Sequence, residues 1–301
     1  MRKQAEKRNM PPKMSIRSDD EGALANLIAL QGPNSPADVF YTENSPALEF
    51  LQDKGLLAAT DPATLKAVPS QYNSPQGDWV AVSARVSALV YNPALIEQSQ
   101  LPTTITQLAD PEYNGKLGIA PAETDFAPIV TSVLKQYGTA RTTQWLAGVK
   151  SNAASHIADS NETLIDQVNR GQVAFGLINQ YYWYRLQSQI GASAMKAKLA
   201  FFAPHDPGYV IDVSGAAVLK SSKHQQAAQK FLAFLVSKQA QDIIAGVQQG
   251  DSTSYEYPLL PGVNPAGGQP PFASLQPYPI SIADLGDGST AGRLLQQAGL
   301  R

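Results

Sequence analysis

Two phenols stand side by side in the run Asn179-Gln-Tyr-Tyr-Trp-Tyr184, directly after the apolar stretch Val173-Ala-Phe-Gly-Leu-Ile178. A phenolate oxygen is a hard anionic donor. Ionising a group of pKa ~10 is repaid by a hard, highly charged cation, ferric iron above all. An aromatic turn that only packs against the core is the competing reading of the same residues. Residues i and i+1 of a regular helix point apart, so adjacent phenols reach one ion only where the chain is still entering a helix. With Asn179 as the N-cap, Tyr181 and Tyr182 become the second and third helical residues and meet that condition. The positive helix end favours the ionised phenol, and a metal supplies most of the pKa drop.

Other chemistry is thinly supported. His205 opens the turn His-Asp-Pro-Gly, His224 starts an exposed helix, and His156 lies in a polar stretch; surface or turn roles fit all three. None belongs to an H-E-x-x-H motif, and neither a G-x-S-x-G elbow nor a Walker loop occurs. Glu123 and Asp125, two apart in a loop, admit a general acid/base pair, but that spacing is common by chance. Arg85 and Arg185 read as charges that offset negative groups near a cleft, or as surface ion pairs. With no cysteine there is neither a disulfide nor a thiolate site. An enzyme is not expected.

The elements that must position these residues alternate. Strands are predicted at 13–17, 36–41, 79–82, 88–91, 117–120, 173–178, 199–202 and 216–219. Helices are predicted at 21–30, from Ser45 to near Gly55, at 126–137 closed by Gly138, at 143–150, and at 162–169 capped by Asn161. The tyrosine helix then runs to Gly191, and another spans 225–245. Residues 250–275, rich in Pro, Gly and Ser, read as an irregular surface crossing. Such alternation argues an α/β fold with largely parallel sheets. A chain of 301 residues suits two lobes, and 43% hydrophobic content is enough to build their cores. The net charge of −2 gives no case for nucleic acid or an anionic membrane. No apolar run approaches the ~18 residues of a membrane span. The basic run at 1–8 lacks a following apolar segment, so no export signal is expected in the chain as written.

Several stretches together carry a resemblance: Ser35-Pro-Ala-Asp-Val-Phe-Tyr-Thr-Glu43, Asp78-Trp79, Leu177-Ile-Asn179 with Tyr181-Tyr-Trp-Tyr184, His205-Asp-Pro-Gly208, Ser214-Gly-Ala-Ala-Val-Leu-Lys220 and Glu256-Tyr-Pro258. From about residue 13 onward the chain resembles the periplasmic ferric-ion-binding proteins, the solute receptors of bacterial iron ABC transporters. The resemblance implies the two-lobed periplasmic-binding-protein fold of type II, with lobes of 1–87 plus 212–265 and 88–211 plus 266–301. It implies Fe3+ held in the interlobe cleft, delivery to an ABC permease, a periplasmic or cell-surface location, and a monomer. Residue by residue, Tyr181 and Tyr182 match the paired tyrosinate ligands and Glu43 the carboxylate ligand. Asn161 and Asn179 match asparagines that help hold a synergistic anion, and Asn44 is placed to serve likewise. A receptor of the same fold for another metal, an anion or a small organic solute is the alternative, followed by an enzyme on that fold.

Two departures stand out. The family's first strand and helix, with a histidine ligand between them, have no counterpart here, so the chain reads as starting downstream of them and its first lobe as opened. The family's small anion-binding turn is replaced by Glu123-Thr-Asp-Phe126. Two carboxylates there repel phosphate and offer an oxygen to the metal instead, so the anion is expected to be dispensable.

Overall fold

A computed structural model describes residues 14–247 and 254–301. The first helix, α1 (Glu21–Gln31), is capped by Asp20, whose carboxylate accepts from the Ala23 N–H at 2.8 Å. Strand β1 (Val39–Thr42) ends in Glu43 and Asn44, and α2 (Ser45–Asp53) starts at once, with proline in its first turn where no intrahelical N–H is needed. Strand β2 (Val80–Tyr91) is buried at every position. There follow β3 (Leu117–Gly118), α3 (Phe126–Ala153), α4 (Asn161–Asn169), β4 (Phe175–Asn179), α5 (Gln180–Ile190) and β5 (Lys198–Ala200). Strand β6 (Ile211–Val218), α6 (Gln225–Leu235), α7 (Lys238–Ile244), β7 (Tyr257–Pro258), α8 (Ile282–Leu285) and α9 (Ser289–Gln297) follow, and one further helical turn, Pro62–Leu65, lies between α2 and β2.

Strand β2 serves two sets of neighbours. Its first half pairs antiparallel with β6, from Val80↔Ala216 to Val86↔Ile211, and with β7 at Ser83 and Ala84. Its second half, Ser87 to Tyr91, pairs with β4 and β5. At the changeover the Ser87 hydroxyl donates to Gly208 O at 2.5 Å and accepts from Val210 N at 2.8 Å, which binds β2 to the chain entering β6. Strand β1 flanks β6 on the other side. Gly215 lets α2 lie close on β6, since a Cβ there would stand 2.6 Å from Leu48 Cδ1. One large core runs through both groups of strands, and a smaller cluster of Leu164, Ile178, Tyr181, Tyr182 and Tyr184 lies around α5.

The sheet is not largely parallel. Among the described strand pairs only β3 with β4 is parallel. Alternation of strand and helix fixes connections but not strand direction, and β2 and β6 run against the neighbours on either side of them. The two strands predicted at 79–82 and 88–91 are one, because the polar residues between them are buried and paired. Residues 14–17 form no strand: Met14 and Ile16 are 66% and 74% exposed, and residue 13 lies outside the described part. Gly138 does break the long α3, with φ 77°. The helix predicted over 225–245 splits because Ser237 caps α7. Ser160 rather than Asn161 caps α4, accepting from Thr163 N at 3.1 Å, and this frees the Asn161 side chain. The strand predicted at 199–202 lies at Lys198–Ala200. In the crossing after residue 253, β7 and a single turn of 3-10 helix interrupt the irregular chain, while 250–253 lie outside the described residues.

Candidate metal centre

The tyrosine pair sits where the sequence puts it. Asn179 is extended, α5 begins at Gln180, and the Gln180 Oε1 accepts from Val86 N at 2.8 Å. The start of α5 is thereby pinned to the changeover of β2. The rings of Tyr181 and Tyr182 lie 4.1 Å apart between centroids. Their hydroxyls donate to one and the same atom, Asp125 Oδ2, at 3.4 and 3.0 Å. Two phenols on consecutive residues therefore do converge on a point, as the incomplete first turn of a helix allows.

Asp125 stands immediately ahead of α3 and is 7% exposed. Asn161 donates to the same Oδ2 at 3.2 Å from the first residue of α4. The other oxygen accepts from Arg85 Nη1 at 3.1 Å. Arg85 comes from β2, is 1% exposed, and is the hub of the site. Its second nitrogen bonds Glu256, which also accepts from Ser83 Oγ at 2.7 Å. Glu43 Oε2 lies 3.8 Å from Arg85 Nη1, and Asn44 Oδ1 accepts from that nitrogen at 3.3 Å. Asn44 Nδ2 in turn donates to Thr124 Oγ1 at 3.0 Å, joining the β1–α2 turn to the loop ahead of α3. Arg185 pairs with Glu162 at 3.1 Å and lies over both phenol rings, 4.8 and 5.5 Å from their centroids.

Electrostatics follow from this burial. Desolvation and the neighbouring Asp125 carboxylate push Tyr181 and Tyr182 well above the ordinary tyrosine range, which favours the protonated phenols. The Glu43 side chain is 67% exposed, so the desolvation that raises its carboxyl is partial; Arg85 opposes the rise while Asp125, Glu256 and Glu21 add to it. Burial by itself would lower Arg85, but Glu256, Tyr181, Asp125 and Glu43 together hold it well above the usual arginine value. Glu123 is raised by burial and by Asp125 and Glu162, and accepts from the Asn161 backbone, away from the phenols.

The candidates thus separate. Tyr181, Tyr182, Asp125, Asn161, Arg85, Glu43 and Asn44 are brought together, whereas Glu123 lies at the rim and Asn179 lines a small cavity beside Asp125. That cavity is about 10 Å³, room for about one water and too small for a phosphate. Arg85 is no surface ion pair, and Arg185 is one on the outer side of the rings. His205 keeps a turn role, with φ 62° and Nδ1 3.1 Å from Pro277 O, and His224 pairs with Asp38. Glu256, Thr124 and Glu21 are site residues the sequence does not single out: a lone acid in Glu-Tyr-Pro, a loop threonine and a first-turn glutamate carry no local signal. Among the described residues no group of three or more His, Cys, Asp or Glu is set to hold a metal, so the phenols make this site a metal candidate. Two phenols and two carboxylates form a hard, all-oxygen, anionic donor set suited to a trivalent cation.

Known proteins share this arrangement of elements. The model of the bacterial extracellular solute-binding protein family matches residues 34–268. The Fe(3+)-binding periplasmic protein of Serratia marcescens is 35% identical over 288 residues, covering 96% of this chain and 83% of that protein. The major ferric iron-binding protein of Neisseria meningitidis serogroup A is 34% identical over 294 residues, covering 96% and 86%. Among solved structures, iron-bound HitA from Pseudomonas aeruginosa superposes with a TM-score of 0.90 at 39% identity, covering 99% of this chain and 94% of that one.

Proposed function

The chain belongs to the bacterial extracellular solute-binding proteins and has their two-lobed α/β fold of type II; from that premise we propose that it binds ferric iron between its lobes and hands it to an ABC permease. The convergence of two buried phenols on one carboxylate oxygen is the observation that carries this reading. The names of its relatives, which are ferric-binding, point the same way. Tyr181, Tyr182 and Glu43 are the proposed ligands. Asp125 is a fourth oxygen donor once the phenolic protons it now accepts have left. Asn44, Asn161 and Asn179 orient these groups, and Arg85 neutralises the excess of negative charge.

The lobes are proposed as 1–87 with 212–265 and 88–211 with 266–301. On that division the Asn44 to Thr124 and Arg85 to Asp125 contacts join one lobe to the other across the cleft. The receptor acts as a monomer in the periplasm or at the cell surface, and it binds its cargo without transforming it. Ferric capture releases the two phenolic protons, so affinity weakens as pH is lowered. Because Asp125 already fills the place of an external anion, binding needs none. Titration with ferric citrate tests the reading: a red to orange tyrosinate-to-iron band is expected, and a colourless protein after saturation overturns it.

A further inference from the structure

One carboxylate outside the proposed ligand set holds the ligand-bearing turn. Glu21, the first residue of α1, accepts four hydrogen bonds from three consecutive residues. Its Oε2 takes the Thr42 hydroxyl, the Glu43 N–H at 2.9 Å and the Asn44 N–H at 3.0 Å; its Oε1 takes Asn44 Nδ2 at 3.0 Å. The two backbone donors, the Glu43 and Asn44 N–H groups, lie past the end of the β1 ladder and before the first turn of α2, and among the described residues no backbone acceptor takes them. Hydrogen bonds to an ionised acceptor are the strong kind.

We propose that Glu21 is a positioning residue for iron capture: it fixes the turn so that Glu43 faces Arg85 and Asp125, and so that Asn44 reaches Thr124. The inference rests on the ferric reading above. The Asn44 amide has two hydrogens, and the structure uses one for Glu21 and one for Thr124 at equal 3.0 Å distances. Glu21 therefore decides which way the second hydrogen points, across the cleft. Among the described residues the Glu43 side chain makes one polar approach, 3.8 Å to Arg85, so its side chain is placed by its backbone, and its backbone is held by Glu21. Glutamine at position 21 has the same shape but one acceptor fewer, and turns an NH2 group toward N–H donors.

Iron affinity by citrate competition in the parent, Glu21→Gln, Glu43→Gln and the double variant tests this, with far-UV circular dichroism confirming each fold. Glu21→Gln is expected to weaken binding about ten- to a hundredfold, the worth of a charge-assisted hydrogen bond. The tyrosinate band should persist, since the phenols are untouched. The loss in the double variant should be smaller than the product of the two single losses, because Glu21 acts in part through Glu43. Parent-like affinity in Glu21→Gln, or losses that multiply in the double variant, overturns the inference. Parent-like affinity in Glu43→Gln also overturns it, while the tyrosinate band still decides the iron reading separately. Should Glu21→Gln not fold, Glu21→Asp, which keeps the charge and shortens the reach, enters the same cycle under the same criteria.

Discussion

Tyr182 donates its hydroxyl hydrogen to Asp125 Oδ2 over 3.0 Å, and the same oxygen takes the Tyr181 hydroxyl at 3.4 Å. The phenols and the carboxylate come from separate elements, α5 and the loop ahead of α3, so this point exists only in the folded chain. Protons occupy the phenols because burial and Asp125 make ionisation unfavourable there. A trivalent cation reverses that balance and takes the place of the protons. The phenols and the carboxylate are thus gathered by hydrogen bonds whose protons a metal would displace.

Removing either phenolic oxygen should therefore act on the metal and spare the fold. Tyr181→Phe and Tyr182→Phe keep the ring volume in the cluster around α5, and each deletes one anionic donor. Each is expected to abolish or strongly shift the visible band and to weaken ferric binding. Absorbance during ferric citrate titration checks this; parent colour and affinity in both variants would make the tyrosines packing residues.

The tyrosine pair is legible in sequence because its side chains declare their chemistry and Asn179 marks the helix start. Glu43 is legible only through resemblance, as nothing local separates it from any acid at a strand end. Arg85 is not legible as a hub. The run Ser83-Ala-Arg-Val-Ser87 reads as a polar gap between two strands, yet its partners are Ser214 and Glu256 for Ser83, Glu256 and Asp125 for Arg85, and Gly208 for Ser87. Pairings between residues so distant along the chain leave no trace in spacing. Strand direction is lost for the same reason: the partner of β2 is β6, which the sequence presents more than a hundred residues later. Glu123 and Asp125 look equivalent until the fold turns one inward and leaves the other at the rim.

Arg85→Met should test the hub through stability of the iron-free protein. Arg85 lies between Glu256 and Asp125, and its loss leaves two buried carboxylates without their counter-charge. Breaking one side of such a pair costs about 3–5 kcal/mol. Lysine should recover only part, since one ammonium lacks the fork that spans both acids. Urea unfolding measures this, and a change under about 1 kcal/mol for Arg85→Met would contradict the hub role.

A pH test bears on Asp212, which lies in β6 opposite Arg85. Its Oδ1 accepts from Ser45 Oγ at 2.6 Å and Val213 N at 2.7 Å, while its Oδ2 has no partner. Burial lifts this carboxyl from 3.8 to about 7, against the Ser45 hydrogen bond and Arg85. Between those two values the folded chain holds a proton that the unfolded chain has released. Stability therefore falls as pH rises through that window and levels off above about 7. Asp212→Asn keeps the Oδ1 acceptor and cannot ionise. Its advantage over the parent should open above about pH 3.8 and grow by about 1–3 kcal/mol between pH 5 and 8. Some slope remains, because burial also lifts Glu49 to about 7. Urea midpoints that run parallel from pH 5 to 8 would refute the assignment.

Anion independence is the prediction on which the altered loop turns. A phosphate beside the phenols would meet Asp125, whose Oδ2 already occupies the point where Tyr181, Tyr182 and Asn161 converge. A carboxylate about 4 Å from a unit negative charge costs on the order of 4 kcal/mol at an effective dielectric of 20, which offsets about two asparagine hydrogen bonds to an anion. The cavity next to Asp125 has room for one water and no more. On the proposed reading Asp125 takes the anion's place as an oxygen donor, while Glu123, beside Glu162 and the Asn161 backbone, does not. Ferric titration in buffer free of phosphate and carbonate should give full binding in the parent and nearly full binding in Glu123→Gln. Asp125→Asn should bind about ten- to a hundredfold more weakly, with part of that loss restored by added phosphate, since removing the charge removes the repulsion. Strict dependence of the parent on phosphate would sink the idea, as would unchanged binding in both variants.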